Sequence, residues 1–153
     1  MNRYFYVLLI SMIPLIELRG AIPAGCAMGL PWYTNFILCV IGNMIPVPLI
    51  LLFIDQIFSF MKRYPHLGKI ARFFEEKGEK NKGKVTKYAS WGLLLFVGIP
   101  LPGTGAWTGA LVASLLKMNK KNATLSIFGG VLVAGVLLTL ISYGVLGFLS
   151  FLL

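Results

Sequence analysis

The stretch "GIPLPGTGAW", residues 98–107, interrupts an apolar run from Tyr88 to Leu116 that is long enough to cross a membrane. About eleven apolar residues precede Pro100 and about eleven follow Gly105, each arm roughly 17 Å long as helix against a hydrocarbon core about 30 Å thick. Each arm therefore reaches about halfway. Pro100 and Pro102 remove backbone donors and restrict Ile99 and Leu101 to extended geometry, while Gly103 and Gly105 permit a tight reversal. The pattern predicts two short helices joined by a turn, a hairpin that enters and leaves the bilayer on one face.

Charge on either side of this segment points the same way. Residues 62–87 carry nine basic and three acidic residues, so two thirds of the chain's net +9 lies there, and the next connection, "KMNKK", adds Lys117, Lys120 and Lys121. A single crossing from Tyr88 to Leu116 would put these two basic loops on opposite faces, whereas Lys and Arg gather on the cytoplasmic side. Both loops are therefore expected to be cytoplasmic. Within the first, Leu67, Ile70, Phe73 and Phe74 fall at helical spacing with charges opposite, which predicts a short interfacial amphipathic helix.

The beginning of the chain has the same grammar. "MIPLIELRGAIPAG" places Pro14, Gly20, Pro23 and Gly25 between two short apolar arms and predicts a second re-entrant hairpin. "IPLIELRGA" (13–21) and "IPLPGTGA" (99–106) share IPL, a polar break and GA, a weak internal repeat. Each hairpin is followed by a longer span: 36–61, kinked around Asn43, Pro46 and Pro48, and 122–153, where Gly130 and Ala134 offer a small-xxx-small contact surface. If both spans cross, the hairpins enter from opposite leaflets and meet near the midplane, an arrangement associated with transport. The expected fold is an all-α integral membrane protein with two re-entrant hairpins of opposite orientation plus two or more spanning helices. It forms one membrane domain over 1–153: 1–61 as hairpin and span, 62–87 as cytoplasmic loop, and 88–153 as the second hairpin and span.

Glu17 and Arg19 are the only charges in the first hairpin, and charge at that depth demands a partner or a purpose. A partly desolvated Glu can load and release protons, while Arg stays charged and grips phosphate or carboxylate. The competing reading is a structural ion pair, or a hairpin tip lying near the interface. Residues two apart do not face each other on a helix, so a direct pair would need non-helical backbone. In the second hairpin, Thr104 before "GAWTGA" reads as a helix start whose N–H groups either hold an anion or are capped by the threonine, with Trp107 and Thr108 at the same tip. Asp55 is a candidate second buried acid for substrate binding or coupling, or an interfacial one given its closeness to Lys62, and Trp32, Tyr33 and Trp91 read as interface markers.

Other classes fall away. A composition of 58% hydrophobic residues with a mean hydropathy of +0.83 lies outside the range of soluble domains, and the lysines flank apolar spans rather than forming a nucleic-acid surface. Cys26 and Cys39 have no metal-ligand spacing, and no serine–histidine–acid set or glycine-rich nucleotide loop occurs. The expectation is no enzyme, no metal and no cofactor. "PAGC" near the start faintly resembles a lipoprotein cleavage site, but Glu17, Arg19 and Pro23 interrupt the approach, so the N-terminus is expected to be retained.

"IPLIELRGAIPAG" and "VGIPLPGTGAWTGALVASLL" resemble the signatures of the small multi-drug export protein family of bacteria and archaea, over nearly the whole chain. That family is similar to the DedA and SNARE-associated Golgi (VTT) membrane proteins. The resemblance implies a DedA-like inverted repeat and membrane transport in the inner membrane of a prokaryote. It carries Glu17 and Arg19 over from the first motif, and Pro100, Pro102, Gly103, Thr104, Gly105 and Trp107 from the second. DedA proteins generally carry arginines in or after the second hairpin, where this chain has only Lys117, Lys120 and Lys121. The expected partners are membrane lipids and an amphipathic, lipid-phosphate substrate such as polyprenyl phosphate, moved by a proton-coupled transporter or flippase, with a homodimer completing the cavity of so short a chain. The alternatives are an exporter of lipophilic cations and a membrane scaffold that transports nothing.

Overall fold

The structure is a computed structural model that describes residues 2–61, 86–101 and 103–152, with side chains at 55, 57–61, 86–87 and 146–152 outside the description. The predicted amphipathic helix, the rest of the 62–85 loop, Pro102 and the Asp55 carboxylate lie outside the described residues. Everything described is helix or short connection: α1 Arg3–Met12, α2 Glu17–Ala27, α3 Trp32–Met44, α4 Pro46–Met61, α5 Thr86–Gly98, α6 Ala106–Leu115 and α7 Lys120–Leu152.

The boundaries follow local chemistry. Asn2 caps α1, its side chain accepting from the Tyr4 N–H at 3.2 Å, and α1 stops where Pro14 forces Ile13 into extended backbone. Gly29, at φ +71, closes α2: Leu30 N–H reaches Gly25 O at 3.0 Å and Gly29 N–H reaches Cys26 O at 2.9 Å, the paired bonds of a Schellman end. Pro46 stands at the first position of α4, where its missing N–H costs least. The kink expected near Asn43 and Pro46 is therefore a join between α3 and α4 at Ile45.

Two expectations need correction. The span of 36–61 begins earlier, at Trp32, because Pro31 sets the helix start. The break in the first pair is only Ile13–Ile16, and Gly20, Pro23 and Gly25 all lie inside α2. Membrane helices tolerate such residues where neighbours pack closely; a Cβ on Gly25 would collide with the Asn35 side chain.

Trp32–Ile54 (23 residues) and Lys120–Val145 (26 residues) are long and apolar enough to cross a membrane, about 35 Å and 39 Å of helix. The remaining helices are shorter. The two spans run antiparallel, since Trp32 and Phe36 face Thr139 and Tyr143, whereas Ile41 and Ile45 face Thr124 and Phe128. α5 lies along α7 in the same direction: a Cβ on Gly130 would come within 2.7 Å of Leu94 O and Val97 Cβ, and one on Gly98 within 3.4 Å of Val133. Leu18 of α2 approaches Gly135 in the same way. The breaks after α1 and after α5 thus both lie beside the middle of α7. The first pair ends at Leu30, whose carbonyl accepts from Tyr143 at 2.7 Å toward the far end of α7, and the second ends at Leu115, shortly before α7 begins at Lys120.

Small residues make this approach possible. Ala21, Ala106, Ala110, Ala113, Ala123 and Ala134 are all fully buried, so backbones pack closely where bulkier side chains would hold helices apart. Large apolar residues fill the core at Leu18, Ile22, Leu30 and Ile127, but many others point outward, Leu125, Leu140 and Ile141 among them, as suits a lipid-facing surface.

Candidate functional site

The breaks of the two helix pairs interlock. Trp107, at the start of α6, donates its indole N–H to the Met12 carbonyl at 3.1 Å. Met12 ends α1, where carbonyls have no partner within the helix. Arg19 reciprocates from α2: its Nη2 donates to Ile99 O at 3.4 Å, just past the end of α5, and to Thr104 Oγ1 at 2.6 Å. Each pair thus donates a side-chain N–H to a carbonyl at the break in the other.

Glu17 completes the contact. Its carboxylate is buried, and Oε1 accepts the Trp107 backbone N–H at 3.2 Å with the Ala106 N–H also facing it. The start of α6 is therefore capped by an acid from the opposite pair, where free N–H groups and the positive dipole end favour negative charge. This corrects the expectation for Thr104. The N-cap position is Gly105, with no side-chain cap of its own, and the Thr104 hydroxyl turns the other way, donating to Ile99 O at 2.8 Å or Leu101 O at 2.9 Å while accepting from Arg19. The reason is charge: a carboxylate makes a stronger bond to these N–H groups than a neutral hydroxyl.

Gly105 is required by this approach, because a Cβ there would occupy the position of the Glu17 carboxylate. Gly103, at φ +82 and in open space, serves the turn alone. Glu17 carries φ +50 and Leu15 φ +78, so the first pair reverses through left-handed backbone on residues that disfavour it. Two polar atoms in the centre have no hydrogen-bond partner among the described residues although both are buried: Glu17 Oε2 and Arg19 Nε.

Of the residues singled out in the sequence, Glu17, Arg19, Thr104, Gly105 and Trp107 come together here. Pro100 and Gly103 shape the same turn, and Thr108 sits one residue further into α6, partly buried. The Asp55 main chain lies in α4. A second buried polar group went unread: Asn35, fully buried in α3, donates to Ile22 O at 2.8 Å and to Tyr143 Oη at 3.0 Å. Asn43, equally buried, has no side-chain hydrogen-bond partner among the described residues. A lone asparagine in an apolar span was the available signal. Among the described residues no group of three metal-ligating side chains occurs.

The sequence matches the family described as "Putative small multi-drug export protein" over residues 17–137, from the acid of the first break to the middle of α7. The chain belongs to that family. The match takes in the second break together with Glu17 and Arg19, while Met12 and the first break precede it, and it goes with a membrane protein of the export class rather than an enzyme. No curated protein and no solved structure matches the chain.

Proposed function

We propose that this member of the export family is a transporter or flippase for an amphipathic molecule with an anionic head, a lipid phosphate such as polyprenyl phosphate, with Glu17 as the proton-carrying group. In this reading the two helix pairs are re-entrant hairpins entering from opposite leaflets of a prokaryotic inner membrane, forming a DedA-like inverted repeat. Their lengths support it: 10 and 11 residues in the first pair and 13 and 10 in the second, about 15–20 Å each against a hydrocarbon core of about 30 Å. So does the position of both breaks beside the middle of α7.

One observation carries the functional reading: a buried acid and a half-buried base from one hairpin stand on the uncharged break of the other, and each keeps a buried atom with no partner among the described residues, Glu17 Oε2 and Arg19 Nε. Unpaired polar atoms in a low-dielectric site are costly, and a proton on Oε2 or an anionic oxygen beside Nε would relieve that cost. Arg19 disfavours a cationic cargo at the same place. Protonation would also weaken the hold of Glu17 on the start of α6, and so loosen one hairpin from the other.

The test is flux in proteoliposomes. A fluorescent polyprenyl phosphate should move through the wild-type chain and not through Arg19→Ala, and Glu17→Gln should move it without pH dependence. Unchanged lipid-phosphate flux in Arg19→Ala would sink the proposal. A second reading, that the chain is a scaffold, draws on the use of Glu17 as the cap of α6; it expects Glu17→Gln to alter stability while no cargo moves in any variant.

A further inference from the structure

The tips of the two helix pairs expose irregular backbone deep in the molecule's apolar zone. Gly98, one residue before the second break, packs on Val133, and Leu18, two residues after the first, packs on Gly135, both near the midpoint of the Lys120–Val145 span. At that depth Ile13, Leu15, Ile16, Ile99 and Leu101 are all exposed, Leu15 almost entirely. The bond from the Trp107 indole to Met12 and that from Arg19 to Ile99 hold the tips side by side, so they form one patch.

Lipid, water or protein could cover the patch, and the first two fit it badly. The N–H groups of Leu15 and Ile16 lie outside both helices and have no hydrogen-bond partner among the described residues, whereas irregular backbone does not face hydrocarbon. Water fails on the side chains, because a patch of large aliphatic residues lines an aqueous cavity poorly. A protein surface supplies both the apolar contact and the acceptors that hydrocarbon lacks. The chain's own segment 62–87, with nine basic residues, would be costly at that depth. A second copy matches without further requirement: inserted in the same orientation it presents the same apolar patch at the same depth, and two-fold pairing sets like against like.

We infer that two copies of this chain pair in the bilayer about a two-fold axis along its normal, tip against tip, with Leu15 and Leu101 at the contact. The inference rests on the reading of the helix pairs as re-entrant hairpins, and on no particular cargo. Arg19, bonded to Ile99, stands directly behind the patch, so the two Glu17–Arg19 centres face each other across the axis. Detergent coats the same apolar patch and separates the copies, so unfolding in micelles reads the single chain alone.

Cross-linking in native membranes tests the pairing. Leu15→Cys and, separately, Leu101→Cys are oxidised with copper phenanthroline. The controls are the wild-type chain, whose Cys26 and Cys39 are buried, and Leu125→Cys, exposed toward the Lys120 end of α7. Both tip variants should shift most of the chain to twice its mass while both controls stay monomeric, and the second tip position keeps the test open if the first folds poorly. Tip variants that stay monomeric, that pair no more than Leu125→Cys, that link to a protein of another mass, or that react with a charged, water-borne maleimide in preference to pairing would each overturn the inference. Single cysteines at Thr86 and Asn119, labelled in the same membranes, separate the two levels of failure. Labelling from one face beside monomeric tips counts against the pairing alone, whereas labelling from opposite faces removes the re-entrant reading beneath it.

Discussion

The two helix pairs open their breaks with the same three residues, Ile-Pro-Leu at 13–15 and at 99–101, and then part company. The second pair turns on glycine, with Gly103 at φ +82, and offers backbone, a hydroxyl and an indole N–H but no charge. The first turns on Leu15 and Glu17, both at positive φ, at a cost of about 1–2 kcal/mol for each such residue. Left-handed backbone on non-glycine residues persists where surrounding structure enforces it and gathers at sites that act on something. One pair is built to receive and the other to present charge, and the left-handed turn at Glu17 opens α2 with its carboxylate on the start of α6.

The sharpest break of that comparison is at the receiving side. Gly105→Ala should remove the space that the Glu17 carboxylate occupies and expel the cap from α6, for a loss of about 3 kcal/mol or more, since overpacking and an unpaired buried charge then act together. Gly103→Ala meets open space and should cost only its backbone preference, about 1 kcal/mol. Thermal unfolding in detergent separates the two. If both variants lose the same amount, Gly105 is a turn residue and the fitted contact is not what holds the pairs together.

The presenting side gives a smaller and more selective effect. Glu17→Ala leaves the first N–H groups of α6 without their acceptor and should cost about 1–2 kcal/mol. Glu17→Gln keeps an oxygen for the Trp107 N–H and should recover most of that stability. A glutamine chain as unstable as the alanine one would show that the negative charge, rather than the hydrogen bond, stabilises α6.

Much of this was legible in the sequence because proline and glycine act locally. Pro14 and Pro100 disfavour helix at Ile13 and Ile99, and with the glycines and polar residues beside them both breaks could be read from the letters. The charges Glu17 and Arg19 stood out because an apolar run has few reasons to hold them. What could not be read was the partner of each group. Thr104 has the chemistry of a cap and sits one residue before the cap position, yet a carboxylate 87 positions earlier in the chain takes that role, a competition decided only in three dimensions. Pro23 misled for the same reason. Its lost hydrogen bond suggests an end, but close packing around α2, with Gly25 against Asn35, carries the helix through. Asn35 itself was silent until Tyr143 and Ile22 were seen beside it.

The smallest expected effect is also the one that tests whether the first break is strained. Leu15 is 96% exposed, so its side chain contributes little burial within the chain, while its φ of +78 belongs to glycine. Leu15→Gly should therefore stabilise the protein in detergent by up to about 1 kcal/mol, because relief of the left-handed penalty exceeds the added freedom of the unfolded chain. The equivalent change at Leu101, which precedes Pro102 and carries no positive φ, has no such penalty to relieve and should be neutral or destabilising. Opposite signs at the two leucines of the repeated Ile-Pro-Leu would locate the strain in the charge-bearing pair. A destabilised Leu15→Gly would mean that the exposed leucine is seated against something outside the single chain, and the difference between the pairs would then lie in what covers their tips rather than in how they turn.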